Sequence, residues 1–367
     1  MAPNAAPPEA AVWLRLLRSK AARLARPVRF MEVCGTHTMA LFETGVRAAL
    51  PDNLELLSGP GCPVCVTPDG YLDAAMELGA RDGMILATFG DMVRVPGPRG
   101  SLADWRARGG RLEIVYSPLA ALDLARSDPG RQVVFLAVGF ETTAPAVARA
   151  VELAAQERLP NFTILSAHKL IPPALRALLA APTKLDGLLC PGHVSVIIGS
   201  QAYAPLAREH RVPCVVSGFG APDMLRALVM LVDQAADGRA EMENAYTRAV
   251  TPEGNLRAQE LIQRVFRPCQ ASWRGLGVIP GSGLELAPAY CDYDACARFG
   301  CEIRPTPPRQ GCLCGDILRG AARPPECALF GHVCTPEAPY GPCMVSTEGA
   351  CAAWFKYGRG PAGDAHE

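Results

Sequence analysis

The chain of 367 residues is 49% hydrophobic and 20% charged, a composition typical of a folded protein of two or three domains and not of a disordered one. Lys and Arg together number 36, as do Asp and Glu, so the net charge provides no attraction for nucleic acid. No apolar run approaches the roughly 18 residues of a membrane helix. We therefore expect a cytoplasmic protein that binds neither nucleic acid nor a membrane.

Residues 1–26 form an N-terminal extension that is rich in Ala and Arg and lacks the continuous apolar core of a signal peptide, so they predict a short amphipathic helix. After them, short apolar runs alternate with helical stretches such as TPDGYLDAAMELGA, SLADWRARGG and TTAPAVARAVELAAQERL. Such runs are typical of strands buried on both faces of a parallel sheet, and the alternation predicts α/β layers with right-handed crossovers. The predicted strands are VRFMEV (28–33), LELLS (54–58), GMILAT (83–88), LEIVY (112–116), VVFLAV (133–138), FTILS (162–166), LDGLLC (185–190) and PCVVSG (213–218).

The strands predict two similar three-layer α/β domains with four parallel strands each, at residues 27–128 and 129–223, because SDPGR (127–131) makes a natural break. Ligands of open parallel sheets bind at the carboxyl ends of the strands. Nearly every Cys and His of the first 220 residues lies in a turn that follows a predicted strand, which predicts one cleft between the two domains. These turns are CGTHT (34–38), GPGCPVC (59–65), FGDM (89–92), GFETT (139–143), SAHK (166–169), CPGHVS (190–195) and GFGAPD (218–223).

Residues 224–367 have a different composition and predict a helical linker followed by a C-terminal domain. Residues 224–250 read as one long helix. Residues 291–357 are too rich in Gly, Pro and Cys to build a large apolar core, so we expect this mainly helical and irregular region to need a metal.

Cys34 and His37 stand one turn apart at a predicted helix start, where the helix dipole would lower the pKa of the thiol. A buried cysteine beside a helix cap explains the same pattern equally well. The Cys62 and Cys65 pair fits a redox dithiol, half of a zinc site or a ligand pair, and its prolines and glycines favour a rigid ligand geometry. Together, three thiols and an imidazole suit iron or zinc.

Other polar residues of these turns are weaker candidates. Glu141 is a candidate acid or base, although the neighbouring threonines also read as a cap of the next helix. His168 and His193 are candidate proton carriers, and Asp91 is a candidate of the same kind. Each of them alone is more typical of a structural residue, and only their shared position at the strand ends favours a functional role.

The chain has 15 cysteines, which a reducing cytoplasm does not normally keep as structural disulfides. Six of them fall within 40 residues near the C-terminus and favour an all-thiolate site. Four thiolates can hold a [4Fe–4S] cluster and leave two for a dithiol or disulfide, and a four-cysteine zinc site is the alternative. The six are Cys312, Cys314, Cys327, Cys334, Cys343 and Cys351.

The motifs CGTHT, GPGCPVC, GFETT and PGHVS, with the ending GCLCG…PPECALFGHVCTPEAPYGPCMVSTEGACAAWFKY, resemble the HypD family of hydrogenase maturation factors, in the family's motif order and over residues 28–357. The resemblance implies two similar α/β domains and a C-terminal [4Fe–4S] domain. It also implies a scaffold, and not a conventional turnover enzyme, that assembles the Fe(CN)2CO unit of [NiFe]-hydrogenase. The implied partners are a HypC-type chaperone, a HypE-type cyanide donor and the hydrogenase large-subunit precursor.

The resemblance makes Cys34, Cys62 and Cys65 the essential cysteines, with Cys34 as the first choice for a direct ligand of the iron. Within the tail we predict that the cluster binds to Cys314, Cys327, Cys334 and Cys351, which leaves Cys312 and Cys343 as a redox pair. We also hypothesise that electrons pass from the cluster through this pair to Cys62 and Cys65, and that His193 and Glu141 tune or protonate groups in the cleft. The rival functions are a stand-alone iron–sulfur thiol–disulfide oxidoreductase and a zinc-stabilised interaction module.

Overall fold

The computed structural model describes residues 8–181, 184–307 and 309–358. Its strands, β1 to β11 in chain order, are Val28–Glu32, Leu54–Ser58, Met84–Thr88, Leu112–Ile114, Gln132–Ala137, Phe162–Ser166, Gly187–Pro191, Cys214–Ser217, Met242–Asn244, Phe266–Trp273 and Gly277–Leu286. Its α-helices, α1 to α16, are Pro8–Ala21, Gly35–Glu43, Pro63–Val66, Asp69–Gly79, Gly90–Val93, Leu102–Ala107, Pro118–Ser127, Ala144–Gln156, Ile171–Ala180, Gly192–Ile198, Ala204–His210, Ala221–Asp237, Leu256–Val265, Ala295–Phe299, Cys314–Leu318 and Ala350–Tyr357. No helix within these ranges is long and apolar enough to cross a bilayer.

The strands form two parallel sheets and one antiparallel hairpin. The first sheet has the order β2-β1-β7-β8-β9, the second has the order β4-β3-β5-β6, and β10 pairs with β11. All eight predicted strands are present as β1 to β8, so the predicted α/β fold with two parallel sheets and a cysteine-rich, irregular C-terminal region is confirmed. Apolar side chains from both sheets and from the C-terminal region share one buried core, which joins these parts into a single body.

The strands are not distributed as two sequential groups of four. The first sheet takes β1 and β2 from the start of the chain and β7 to β9 from residues 187–244, whereas the second sheet is built from the residues between them. The turn at 127–131 lies inside the second sheet, between α7 and β5. Pro and Gly mark a turn of any kind, so their presence does not distinguish a turn within a sheet from a boundary between domains.

The long helix predicted at 224–250 is also shorter than expected. The helix α12 ends at Asp237 because Gly238 adopts a left-handed conformation with φ of 66°, and the chain then adds β9 to the edge of the first sheet. Within residues 224–250, only the part up to Asp237 is therefore helical. The amphipathic helix predicted in the N-terminal extension is present as α1.

Strand register brings the reactive turns of the first sheet to one edge. Glu32, the last residue of β1, lies opposite Ser58, the last residue of β2, and opposite Leu189 near the end of β7. The turns that begin at residues 33, 59 and 192 therefore leave the sheet side by side.

A buried ion pair supports this edge from below. Glu32 is fully buried, and its Oε1 accepts hydrogen bonds from Arg47 at 2.7 Å and from the Ser58 hydroxyl at 3.1 Å. The Arg47 guanidinium, itself only 12% exposed, also donates to the Leu56 carbonyl. A carboxylate in this position is tolerated because it is paired.

Replacing Arg47 by Met should lower the free energy of unfolding by about 3–5 kcal/mol, because it leaves the Glu32 charge buried without its partner. Urea unfolding followed by circular dichroism measures the change. Arg126→Met, which breaks an exposed ion pair with Asp123 and Glu157, is the control and should have little effect. Equal stability of the two variants would show that the buried pair does not stabilise the sheet edge.

Candidate functional site

Cys34 lies directly after β1 at the start of α2 and is 2% exposed. Its Sγ is 3.4 Å from Nε2 of His193, the second residue of α10. His37, one turn further along α2, donates from Nε2 to the Gly218 carbonyl at 3.1 Å. The Phe219 ring stacks on both imidazoles, at 4.6 Å from His37 and 4.8 Å from His193. Three turns of the first sheet thus enclose one thiol and two histidines.

Burial keeps these groups neutral in the absence of a metal. Burial raises the pKa of Cys34 to about 12, and the nearby Glu348 carboxylate adds to the effect. Burial lowers the pKa of His37 to about 4 and also lowers the pKa of His193. The lowered thiol pKa that we expected from the helix dipole is therefore wrong for this conformation, because desolvation outweighs the dipole. A metal ion at Cys34 would displace the proton.

The second reactive turn, GPGCPVC, packs directly against the first. A Cβ on Gly61 would stand 1.6 Å from the Val33 carbonyl oxygen and 2.4 Å from Cα of Cys34, so only glycine permits this approach. Cys62 and Cys65 are buried and joined by a disulfide, and the Cys65 amide donates to Sγ of Cys62 at 3.1 Å. Cys62 directly precedes the single helical turn α3, and Cys65 lies within it, adjacent to Cys34.

Glu348 completes this site and was missed by the sequence reasoning. It belongs to the segment before α16, and its Oε1 accepts a hydrogen bond of 2.7 Å from the hydroxyl of Thr36. Burial raises the pKa of this half-buried carboxyl, and Asp91 raises it further. In the sequence, Glu348 belongs to the stretch TEGAC (347–351) of the cysteine tail, and nothing in the spacing of that stretch indicates contact with residue 36.

Glu141 and His168 lie at the ends of strands of the second sheet. Glu141 is 3% exposed, and its Oε1 accepts from the Ile171 amide at 2.8 Å, at the start of α9. Burial raises the pKa of this carboxyl to about 7. His168 is buried beside Ser166 and Phe266, and burial lowers its pKa to about 3. Among the described residues, no hydrogen bond connects either side chain to the Cys34 group.

The six tail cysteines come together around one small cavity. The side chains of Ile317, Leu329, Phe330 and Met344 complete its lining. Two of the sulfurs are in contact, since Sγ of Cys314 is 2.9 Å from Sγ of Cys343. This contact lowers the pKa of Cys314, and the positive charge of Arg274 contributes to the same shift.

The pairing of Cys312 with Cys343 stays a prediction, and in this structure Cys343 lies against Cys314. Cys312 and Cys314 flank the start of α15, and only Cys314 begins the helix on its buried side. The sulfur of Cys334, in turn, accepts a hydrogen bond from the Tyr340 amide at 3.3 Å. Sequence spacing alone does not show which of two cysteines only two residues apart contacts a third cysteine.

The tail cysteines fit an iron–sulfur cluster better than a single metal ion. Within the described ranges, no three His, Cys, Asp or Glu side chains converge closely enough to hold one ion. A [4Fe–4S] cluster instead takes one thiolate on each iron, and therefore requires four sulfurs spread around a dry cavity. The six-cysteine cavity, with its apolar lining, provides such an arrangement.

Comparison with known proteins gives a consistent result along almost the entire chain. The family model HypD, described as "Hydrogenase formation hypA family", matches residues 10–358. The hydrogenase maturation factor HypD of Azotobacter vinelandii is 49% identical over 356 residues, which cover 93% of this chain and 94% of the relative. The protein of the same name from Escherichia coli (strain K12) is 45% identical over 365 residues, 96% of each chain. That from Rhodobacter capsulatus is 43% identical over 350 residues, 94% of this chain and 93% of the relative.

Replacing Glu141 by Gln should remove a pH-dependent loss of stability. The pKa of Glu141 is raised from about 4.5 to about 7 in the folded protein, so the unfolded chain releases this proton first as the pH rises. The free energy of unfolding of the wild type should therefore fall relative to that of Glu141→Gln between pH 4.5 and 7, by roughly 3 kcal/mol.

Urea unfolding at several pH values measures this difference. Glu260→Gln, on the exposed side of α13, is the control and should follow the wild type at every pH. Parallel profiles for the wild type and Glu141→Gln would mean that the buried carboxyl does not titrate in this range.

Proposed function

The chain belongs to the HypD family of hydrogenase maturation factors, and we propose that it is the scaffold on which an Fe(CN)2CO unit is assembled for [NiFe]-hydrogenase. The iron unit is cargo, built with a HypC-type chaperone and a HypE-type cyanide donor and then passed to the hydrogenase large-subunit precursor. The observation that carries the proposal is the grouping of buried Cys34 with His193 and the Cys62–Cys65 pair at one edge of the first sheet.

Cys34 is the proposed protein ligand of the iron. Its thiol is neutral and contacts Nε2 of a histidine that burial also keeps neutral, so a proton acceptor is already in place. When iron binds, the Cys34 proton passes to His193 or to solvent and the thiolate takes the metal. Phe219 and His37 hold the His193 ring in position through the aromatic stack.

Cys62 and Cys65 act beside this ligand as a dithiol or a disulfide. In the bonded form neither sulfur can bind iron, and in the reduced form both become thiol ligands within the same small volume. The close contact of Gly61 with Cys34 fixes the distance between the pair and the iron ligand. Thr36 and Glu348 close the opposite side of the site with a partly buried hydrogen bond.

We propose that Cys312, Cys327, Cys334 and Cys351 hold a [4Fe–4S] cluster, and that Cys314 and Cys343 are the redox pair next to it. This set of ligands differs from the set predicted from the sequence, in which Cys314 was a ligand and Cys312 was not. It is supported by the distance of 2.9 Å between Sγ of Cys314 and Sγ of Cys343, which sets this pair apart from the other four cysteines. The cluster would supply single electrons when bound. Many free thiols also suit the reducing cytoplasm, where we place the protein.

A stand-alone thiol–disulfide oxidoreductase is the second candidate function. It is favoured by the presence of a bonded pair, Cys62–Cys65, and a contacting pair, Cys314 and Cys343, in one protein core. Such an enzyme would reduce a protein disulfide and would carry no cyanide or CO.

Cys62→Ala should abolish assembly of the iron unit while leaving the tail cluster in place. Infrared spectra of protein purified under argon together with its partners should show bands of metal-bound cyanide and CO in the wild type and none in the variant. The broad visible absorption of the cluster should be unchanged, since Cys62 does not line the tail cavity.

Cys291→Ala, a change at an exposed thiol, is the control and should keep both signals. Wild-type protein that turns over a dithiol substrate but never shows diatomic bands would support the oxidoreductase instead. A colourless wild type that binds zinc would contradict both iron-based functions.

The cluster assignment predicts opposite results for neighbouring cysteines. Cys312→Ser should lose the visible absorption and most of the bound iron, because it removes a proposed ligand, whereas Cys314→Ser should retain both. Iron and sulfide analysis after anaerobic purification measures the difference. The reverse result would return Cys314 to the ligand set, and loss in both variants would mean that α15 as a whole is needed to hold the cluster.

A further inference from the structure

The tip of the β10–β11 hairpin lies between the Cys62–Cys65 turn and the tail cysteines. Arg274, the first residue after β10, contacts three consecutive carbonyls at the end of α3. Its amide donates to the Val66 carbonyl at 2.8 Å, and its guanidinium donates to the carbonyls of Cys65 at 3.0 Å and Thr67 at 2.6 Å. One residue, through its amide and its side chain, thus satisfies carbonyl groups that a helix end leaves without partners.

A buried carboxylate fixes the orientation of this guanidinium. Asp69 is 3% exposed and pairs with Arg274 at 2.8 Å and with Arg309 at 3.3 Å. Arg309 is held in turn by the carbonyls of Tyr340 and Pro96. Arg274 is therefore held rigidly, and Asp69 offsets part of its charge.

The opposite side of the hairpin tip contacts the helix that carries Cys314. A Cβ on Gly275 would stand only 2.4 Å from Cα of Gly315, the second residue of α15. The Arg319 side chain, at the end of the same helix, donates to the Gly275 carbonyl. Two adjacent residues of one turn therefore contact α3 on one side and α15 on the other.

We propose that the Arg274–Gly275 tip, held by Asp69, is a positioning element that couples the Cys62–Cys65 pair to the tail cysteine site. The inference deepens the proposed function, since it concerns how the two thiol sites of the same scaffold affect each other. A displacement of α15 moves Gly275, and through Arg274 it moves the three carbonyls that fix Cys65. Arg274 is a positioning residue because it contacts the backbone of the pair and not the iron.

Loss of the Arg274 contacts with α3 determines the direction in which the dithiol–disulfide equilibrium of Cys62 and Cys65 shifts. The guanidinium orders the turn in the conformation that brings Cys62 and Cys65 to bonding distance, so its removal lowers the effective concentration of one thiol at the other. Its charge would stabilise a thiolate, but the Asp69 carboxylate, which Arg274 shares with Arg309, reduces that effect. The proposal takes loss of order to outweigh loss of charge, so that disruption of the tip favours the dithiol.

The test measures the Cys62–Cys65 equilibrium in the full chain as purified under argon, without added iron, partners or substrate. The protein is equilibrated with mixtures of reduced and oxidised dithiothreitol, in which two electrons and two protons pass from the reagent to the disulfide. Alkylation and mass spectrometry of tryptic peptide 48–81, whose only cysteines are Cys62 and Cys65, give the oxidised fraction.

Arg274→Gln should shift the equilibrium constant at least threefold toward the dithiol. Arg274→Lys keeps the charge but loses the planar fork, and it should shift the constant in the same direction. Arg267→Gln on the same hairpin, where the arginine is exposed and pairs only with Glu285, should leave the constant unchanged. The proposal would be overturned if the equilibrium constant of one or both Arg274 variants did not change or shifted toward the disulfide.

A pair of glycine variants tests the contact with α15 separately. Gly275 and Gly277 both have a positive φ, of 79° and 81°, but of the two only Gly275 meets α15, and no atom of the described residues lies within 4 Å of a Cβ on Gly277. Gly275→Ala should shift the constant at least threefold toward the dithiol and Gly277→Ala should not, although both alanines are strained. Equal shifts would mean that backbone strain alone is responsible and would overturn the coupling. Because no iron or partner is added, failure of the assembly function would not affect these outcomes.

Discussion

The common endpoint of β1, β2 and β7 is the constraint on which the site depends. Because Glu32, Ser58 and Leu189 share one level of the sheet, the turns that carry Cys34, Cys62 and His193 emerge together. A slip of one residue in any of these strands would turn its reactive group to the other face. The buried pair of Glu32 and Arg47 stabilises this level, so an ion pair that contains none of the reactive groups contributes to the geometry of the candidate site.

Cys34 and His193 form a buried and neutral pair in this structure. A buried thiolate and a buried imidazolium would each carry a desolvation cost of several kcal/mol, whereas the neutral pair of Cys34 and His193 avoids that cost. In the proposed function, a bound metal would compensate for the charge of the thiolate. The same principle applies to Glu141, which burial moves toward the protonated form.

The sequence was informative wherever a local pattern determines the structure. Apolar runs located eight of the nine strands of the two sheets, all except β9, and the turns after them located Cys34, Cys62, Cys65 and His193 correctly at strand ends. Contacts between distant segments had no such pattern. Glu348 meets Thr36 across the fold, and Cys314 meets Cys343 within an irregular region where neither the period of a helix nor that of a strand applies. The order of strands across the sheets was likewise fixed by packing of distant segments.

The first sheet combines strands from distant parts of the chain, and this has a consequence for synthesis of the chain on the ribosome. Strands β1 and β2 are complete early, but β7, the second partner of β1, begins only at residue 187, about 150 residues after β1 ends. At 5–20 residues per second this interval lasts about 8–30 s, and the segment with Glu348 follows later still. During that time the turns with Cys34, Cys62 and Cys65 lack the segments that bury them in the folded protein, so we expect their thiols to be open to oxidants. The reducing capacity of the compartment therefore matters to this protein before it has folded as well as after.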